Sequence, residues 1–101
     1  MEKERKKQLL DLMSEKFSKK LWYRAIKLTE EVEELKDAVA ENTFGAGSKE
    51  DIIDELADVY IVTAHITHLL GITEDELFEL AEDKIIGRLR EPEYKRKHPH
   101  Q

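Results

Sequence analysis

The sequence contains no cysteine. That excludes disulfide scaffolds, zinc knuckles and thiol catalysis. Proline occurs twice and glycine four times. Both prolines and three of the glycines sit where a pattern breaks, which suits a helical chain; Gly87 is the exception. No apolar run reaches the ~18–20 residues of a membrane span, so no membrane partner is expected. Positive charge is in deficit: 17 Lys and Arg stand against 23 Asp and Glu, a net charge of −6. A general nucleic-acid binder needs a basic face for its phosphate contacts, so that class is disfavoured too. The opening Met1-Glu2-Lys3-Glu4-Arg5-Lys6-Lys7 is charged and has no apolar stretch behind it. It does not read as a signal peptide, and the expected location is cytoplasmic.

What is present is a chain of 101 residues, 40% hydrophobic and 40% charged. Leu, Ile, Val and Phe account for more than the roughly one-fifth that separates folding chains from disordered ones. One domain is expected over residues 1–90, with a polar, flexible tail over 91–101. A lone domain this small buries only about 60–65% of its unfolded surface, so self-association would help it.

The apolar spacing predicts about four helices. Leu9, Leu10, Met13 and Phe17 fall on one face of a first helix over about residues 4–18, with Ser18 placed to end it and cap the next. A second helix spans about residues 19–41. Its apolar row is Leu21, Ala25, Leu28, Val32, Leu35 and Val39. Asn42 to Ser48 holds two glycines and reads as a loop. Ser48 with Asp51 resembles a capping box, which starts a third helix near 49 that runs to about Leu70, where Gly71 stops it. Thr73 with Glu76 forms a second box and opens a fourth helix over about residues 74–90, ended by Pro92.

The third helix is apolar on nearly every side, as expected of a helix at the centre of a bundle or oligomer. Its first half nevertheless holds Asp51, Asp54, Glu55 and Asp58. The stripe Asp51, Glu55, Asp58, Val62, His65, Leu69 is acidic at one end and largely apolar at the other. On the second helix, Glu31 lies about 80° from the centre of the apolar row, with Glu34 beyond it on the same flank. A short-looped antiparallel hairpin brings the pairs Glu31/Glu34 and Glu55/Asp58 together. Two carboxylates 4 Å apart repel by about 4 kcal/mol at an effective dielectric of 20. Such a cluster needs cations or protons, and Mg²⁺, a hard ion that prefers oxygen ligands, fits best.

Leu28-Thr29-Glu30-Glu31-Val32-Glu33-Glu34-Leu35, followed after about twenty residues by Asp54-Glu55-Leu56-Ala57-Asp58-Val59, resembles the E-x-x-E … E-x-x-D signature of the all-α nucleoside triphosphate pyrophosphohydrolases. That superfamily includes MazG-like proteins, dimeric dUTPases, dCTP pyrophosphatases and phosphoribosyl-ATP pyrophosphatase. Leu70-Gly71-Ile72, the acidic cap and a fourth helix containing Lys84 match the MazG-like pattern, and the likeness covers roughly residues 21–90. The resemblance implies a MazG-like helical bundle; the second and third helices carry more apolar surface than two thin flanking helices can cover, so completion by oligomerisation, as a homodimer or homotetramer, is expected. The resemblance also implies Mg²⁺, with Mn²⁺ as a substitute, held by Glu31, Glu34, Glu55 and Asp58 as metal ligands and catalytic groups. Lys84 would contact substrate phosphate. Many relatives carry Asn about four residues after that lysine; here Arg88 stands there, and either it binds phosphate in place of the Asn or the substrate contacts differ. The implied reaction cleaves a nucleoside triphosphate, ribo or deoxyribo, between the α and β phosphates, giving a monophosphate and pyrophosphate. Phosphoribosyl-ATP pyrophosphatase is an alternative within the class.

Simpler readings compete. Glu30 to Glu34 could be a solvated helix face, and Asp51 fits the positive end of the third helix. His65 and His68 suit core or interface positions better than a zinc site, since no third ligand is evident. Phe17, Trp22 and Tyr23 fit packing better than base stacking. Lys95-Arg96-Lys97 fits a solvated tail. The rival from another class is a non-enzymatic, acidic, self-associating helical interaction module.

Overall fold

A computed structural model describes residues 2–90, and these form four helices. They are α1 (Glu2–Lys16), α2 (Leu21–Thr43), α3 (Lys49–Leu69) and α4 (Glu74–Arg90). The fold is all-α, as the periodicity predicts. The described residues divide into two compact units, one running to Gly71 with α1 to α3 and one starting at Ile72 with α4. The tail expected over 91–101, including Lys95-Arg96-Lys97, lies outside the described residues. Among those described, no single helix is long and apolar enough to cross a membrane.

The helix boundaries follow from local chemistry. Ser48 caps α3: its hydroxyl accepts from Asp51 N–H at 3.2 Å, and Ser48 N–H donates to the Asp51 carboxylate at 3.2 Å. This occupies Asp51 and removes it from the acidic stripe. Gly71, at φ +75°, follows the end of α3 in the left-handed conformation that glycine adopts without strain. Thr73 Oγ1 accepts from Glu76 N–H at 3.1 Å at the head of α4. The start of α2 differs from expectation. Ser18 Oγ accepts from Lys20 N–H at 3.1 Å, so the hydroxyl serves a local turn and α2 begins at Leu21, two residues later than the pattern suggests.

Within the first unit, α2 and α3 pack along each other and α1 lies on α3. The face of α2 turned inward is not centred on its apolar row. Arg24, Glu31 and Ala38 are buried and Leu28 and Leu35 half-buried, a stripe with heptad spacing. Leu21, Val32 and Val39 remain 43%, 45% and 43% exposed. The seam therefore uses one flank of the row and leaves the other bare. On α3 the inward side carries Val62 and His65, with Asp58 and Glu55 half-buried one and two turns before Val62. This is the stripe that is acidic at one end and apolar at the other.

Candidate metal centre

Heptad spacing places the functional side chains. Glu31 and Glu34, one turn apart on α2, face Glu55 and Asp58, one turn apart on α3. One carboxylate oxygen from each of the four can be chosen so that all lie within 4.8 Å of one another. Glu31 is buried, Glu55 and Asp58 half-buried and Glu34 exposed, so the cluster opens to solvent on the Glu34 side. Glu30 and Glu33 stay outside it, pairing with Lys27 at 3.4 Å and Lys36 at 2.8 Å.

The electrostatics are unfavourable without a cation. Partial burial pushes the Glu55 carboxyl up from its ordinary range, and the charges of Glu34 and Asp58 add to the shift. Among the described residues, Lys27 reaches the cluster, its ammonium 3.2 Å from Glu31 Oε1. Its pKa is raised by hydrogen bonds to Glu31 and Glu30. One lysine cannot balance four carboxylates. The sequence reading missed Lys27, although its i, i+4 spacing from Glu31 is the signal for such a pair.

Two observations test the fit of a divalent metal. Glu31 Oε2 and Glu55 Oε2 are buried with no hydrogen-bond partner. Unsatisfied buried carboxylate oxygens are costly and call for a cation or donor. The spread also suits a small ion: opposite ligands of Mg²⁺ stand about 4.2 Å apart, twice a bond of about 2.1 Å. Small side-chain rotations bring oxygens within 4.8 Å to that span. The residues fit the ion.

Lys84 and Arg88 lie on α4, in the second unit, with exposed side chains. They share one side of that helix by their i, i+4 spacing.

A second polar group lies farther along the same seam. His65 is 0% exposed and Arg24 only 7%. Ser14 Oγ lies 3.1 Å from Leu10 C=O and 3.0 Å from His65 Nε2, bridging α1 to α3. His65 Nδ1 is buried and has no hydrogen-bond partner. Burial, together with the nearby Arg24 charge and His68, holds the His65 pKa below its usual value. His68 Nε2 donates to Asp11 at 2.9 Å, a second tie from α3 to α1. Both histidines thus serve helix packing. The Arg24 guanidinium sits 5.5 Å from the Phe17 ring centre.

The model of a protein family described as phosphoribosyl-ATP pyrophosphohydrolase matches residues 2–84. The match takes in all four carboxylates and ends at Lys84, short of Arg88. No curated protein and no solved structure matches the chain significantly.

Proposed function

The chain belongs to the phosphoribosyl-ATP pyrophosphohydrolase family, and from that premise we propose that it hydrolyses a nucleoside triphosphate between the α and β phosphates with Mg²⁺. Family membership carries nucleotide pyrophosphohydrolysis and places the chain in the all-α nucleoside triphosphate pyrophosphohydrolase superfamily. The metal, the bond cleaved and the substrate are our reading. The observation that carries it is the convergence of Glu31, Glu34, Glu55 and Asp58 within 4.8 Å, with two buried oxygens unpartnered.

In this reading the four carboxylates hold Mg²⁺, for which Mn²⁺ substitutes. Bound there, the ion supplies polarisation of phosphoryl oxygens and a lowered pKa for water. Glu31, buried and tied to Lys27, is the fixed ligand. Glu34, at the exposed edge, is free to orient an attacking water. Lys84 and Arg88 are assigned to substrate phosphate by resemblance, where their charges offset part of the triphosphate. The working form is a homodimer or homotetramer.

Two substrate classes remain: ordinary ribo- or deoxyribonucleoside triphosphates, and phosphoribosyl-ATP, which the family match favours. A panel of both with Mg²⁺, scored for monophosphate and pyrophosphate, decides between them. A non-enzymatic acidic interaction module would release no pyrophosphate from any member, and that result would refute the proposal.

A further inference from the structure

Two lysines of α2 make ion pairs, and they do so differently. Lys36 closes on Glu33 at 2.8 Å, away from the carboxylate cluster. The Lys27 ammonium stands between two acids, 3.2 Å from Glu31 Oε1 and 3.4 Å from Glu30 Oε2. Both distances exceed the about 2.7–2.9 Å of a closed charge-assisted bond. An ammonium carries three N–H donors, so at least one of Lys27's is uncommitted. The side chain is 46% exposed, and a ligand from solvent reaches it. Helix geometry sets the direction. At about 100° per residue, Lys27 lies about 40° and Glu34 about 60° from Glu31, on the same flank of α2. The bare apolar flank with Val32 is on the other side. Glu34 is the exposed edge of the cluster. Lys27 therefore stands at the mouth through which the carboxylates meet solvent, with the buried Glu31 beside it.

We propose that Lys27 is a substrate-binding residue whose ammonium donates to a phosphate oxygen of the polyphosphate chain at the mouth of the cluster. The inference rests on the pyrophosphohydrolase reading of the four carboxylates. When all four are ionised, a divalent ion balances two of them, and an approaching polyphosphate still meets net negative charge. Lys27 offsets a third. It keeps its place between Glu30 and Glu31 and adds the phosphate through its remaining donor, so no carboxylate is displaced. A purely local helix pair would close as Lys36 does; the long, shared contact of Lys27 leaves its charge open to an anion. Lys84 and Arg88 belong to the other unit. Lys27 is carried by the helix that carries Glu31 and Glu34, so its position at the mouth does not depend on α4.

Inorganic pyrophosphate, titrated by calorimetry into the full chain with saturating Mg²⁺, is the probe. Mn²⁺ binding without pyrophosphate, followed by electron paramagnetic resonance, reads the carboxylates alone. Lys27→Met is expected to bind Mn²⁺ at least as tightly as the wild type, because a positive charge beside the ligands is gone. It should bind pyrophosphate roughly tenfold or more weakly, the loss of one charge-assisted hydrogen bond. Lys27→Gln, which stays polar, is expected to lose as much, and Lys27→Arg, which keeps the charge, to retain most of the binding. In turnover, Lys27→Met raises KM more than it lowers kcat. The assignment is overturned if Lys27→Met and Lys27→Gln bind pyrophosphate as the wild type does. It is equally overturned if both lose Mn²⁺ along with pyrophosphate, or lose helicity, since Lys27 then supports Glu31 or the fold and not the phosphate. If the wild type binds Mn²⁺ and pyrophosphate but releases no pyrophosphate from any nucleotide, the pyrophosphohydrolase reading fails, and the titration still decides Lys27.

Discussion

At Glu55, burial and like charge act in the same direction. Its pKa lies above the unfolded value because the folded state disfavours the ionised form. Its ionisation therefore lowers stability as pH rises from about 4.5 through the folded pKa. Glu55→Gln removes that cost, so the metal-free variant melts higher than wild type. It also removes a ligand, so the Mg²⁺-dependent stabilisation, about 2.7 kcal/mol at a hundredfold excess over Kd in the wild type, shrinks or disappears, and with it the rise in melting temperature. A variant that is both less stable without metal and equally stabilised by it would contradict the metal-site assignment. Glu31→Gln and Asp58→Asn are expected to abolish turnover while circular dichroism stays helical. His65 shows the opposite linkage. Its folded pKa lies below the usual 6.5, so at neutral pH both states are uncharged and it contributes nothing. As pH falls below 6.5 the unfolded chain takes up a proton that the folded chain refuses, and stability drops until the folded pKa is passed. Melting curves from pH 7.5 to 5 in wild type and His65→Gln isolate this slope, which the variant loses.

The elements differ in how much of them the sequence discloses. On α4, Lys84 has no acid at helical pairing distance: Leu80, Ala81, Gly87 and Arg88 fill those positions. Lys84→Ala is expected to leave melting nearly unchanged and to lower kcat/KM by roughly tenfold, about 1.4 kcal/mol of transition-state stabilisation. Unaltered kinetics would remove it from the site. The boundaries of α3 were legible because Ser48, Asp51 and Gly71 are local signals whose meaning does not depend on the rest of the fold. The acidic cluster was legible for a related reason: i, i+3 pairs on two helices joined by a short loop fix which carboxylates meet. The rotation of α2 was not. Its apolar row and its buried stripe share Leu28 and Leu35, and hydrophobic periodicity marks every surface to be covered without saying what covers it. Arg24 was missed because a charged side chain at a seam position looks like solvated surface until the partner helix and Phe17 are in place.

At the scale of the whole molecule, the first unit has little core of its own. Its buried apolar side chains among the described residues are Ala38, Val62 and Ala64. Ordering a backbone costs roughly 1–2 kcal/mol per residue, which two alanines and a valine do not offset over residues 1–71. The missing burial is available on the surface. Leu21, Val32 and Val39 on α2 and Ile53, Leu56, Tyr60 and Ile61 on α3 are each more than a third exposed. They belong to the two helices that carry the acidic cluster. A second copy covers such a surface most simply, because a two-fold interface sets the same patch against itself. On the proposed assembly, association would be part of folding, and the carboxylates would keep their spacing only in the assembled form. Sedimentation at low micromolar concentration is expected to show a dimer or tetramer with no folded monomer. Leu56→Glu, which places a charge on the uncovered side of α3, should lose helicity together with the oligomer. A well-folded wild-type monomer, or a Leu56→Glu variant that keeps full helicity as a monomer, would mean that the three-helix unit is stable without a partner and that its exposed apolar surface serves some other contact.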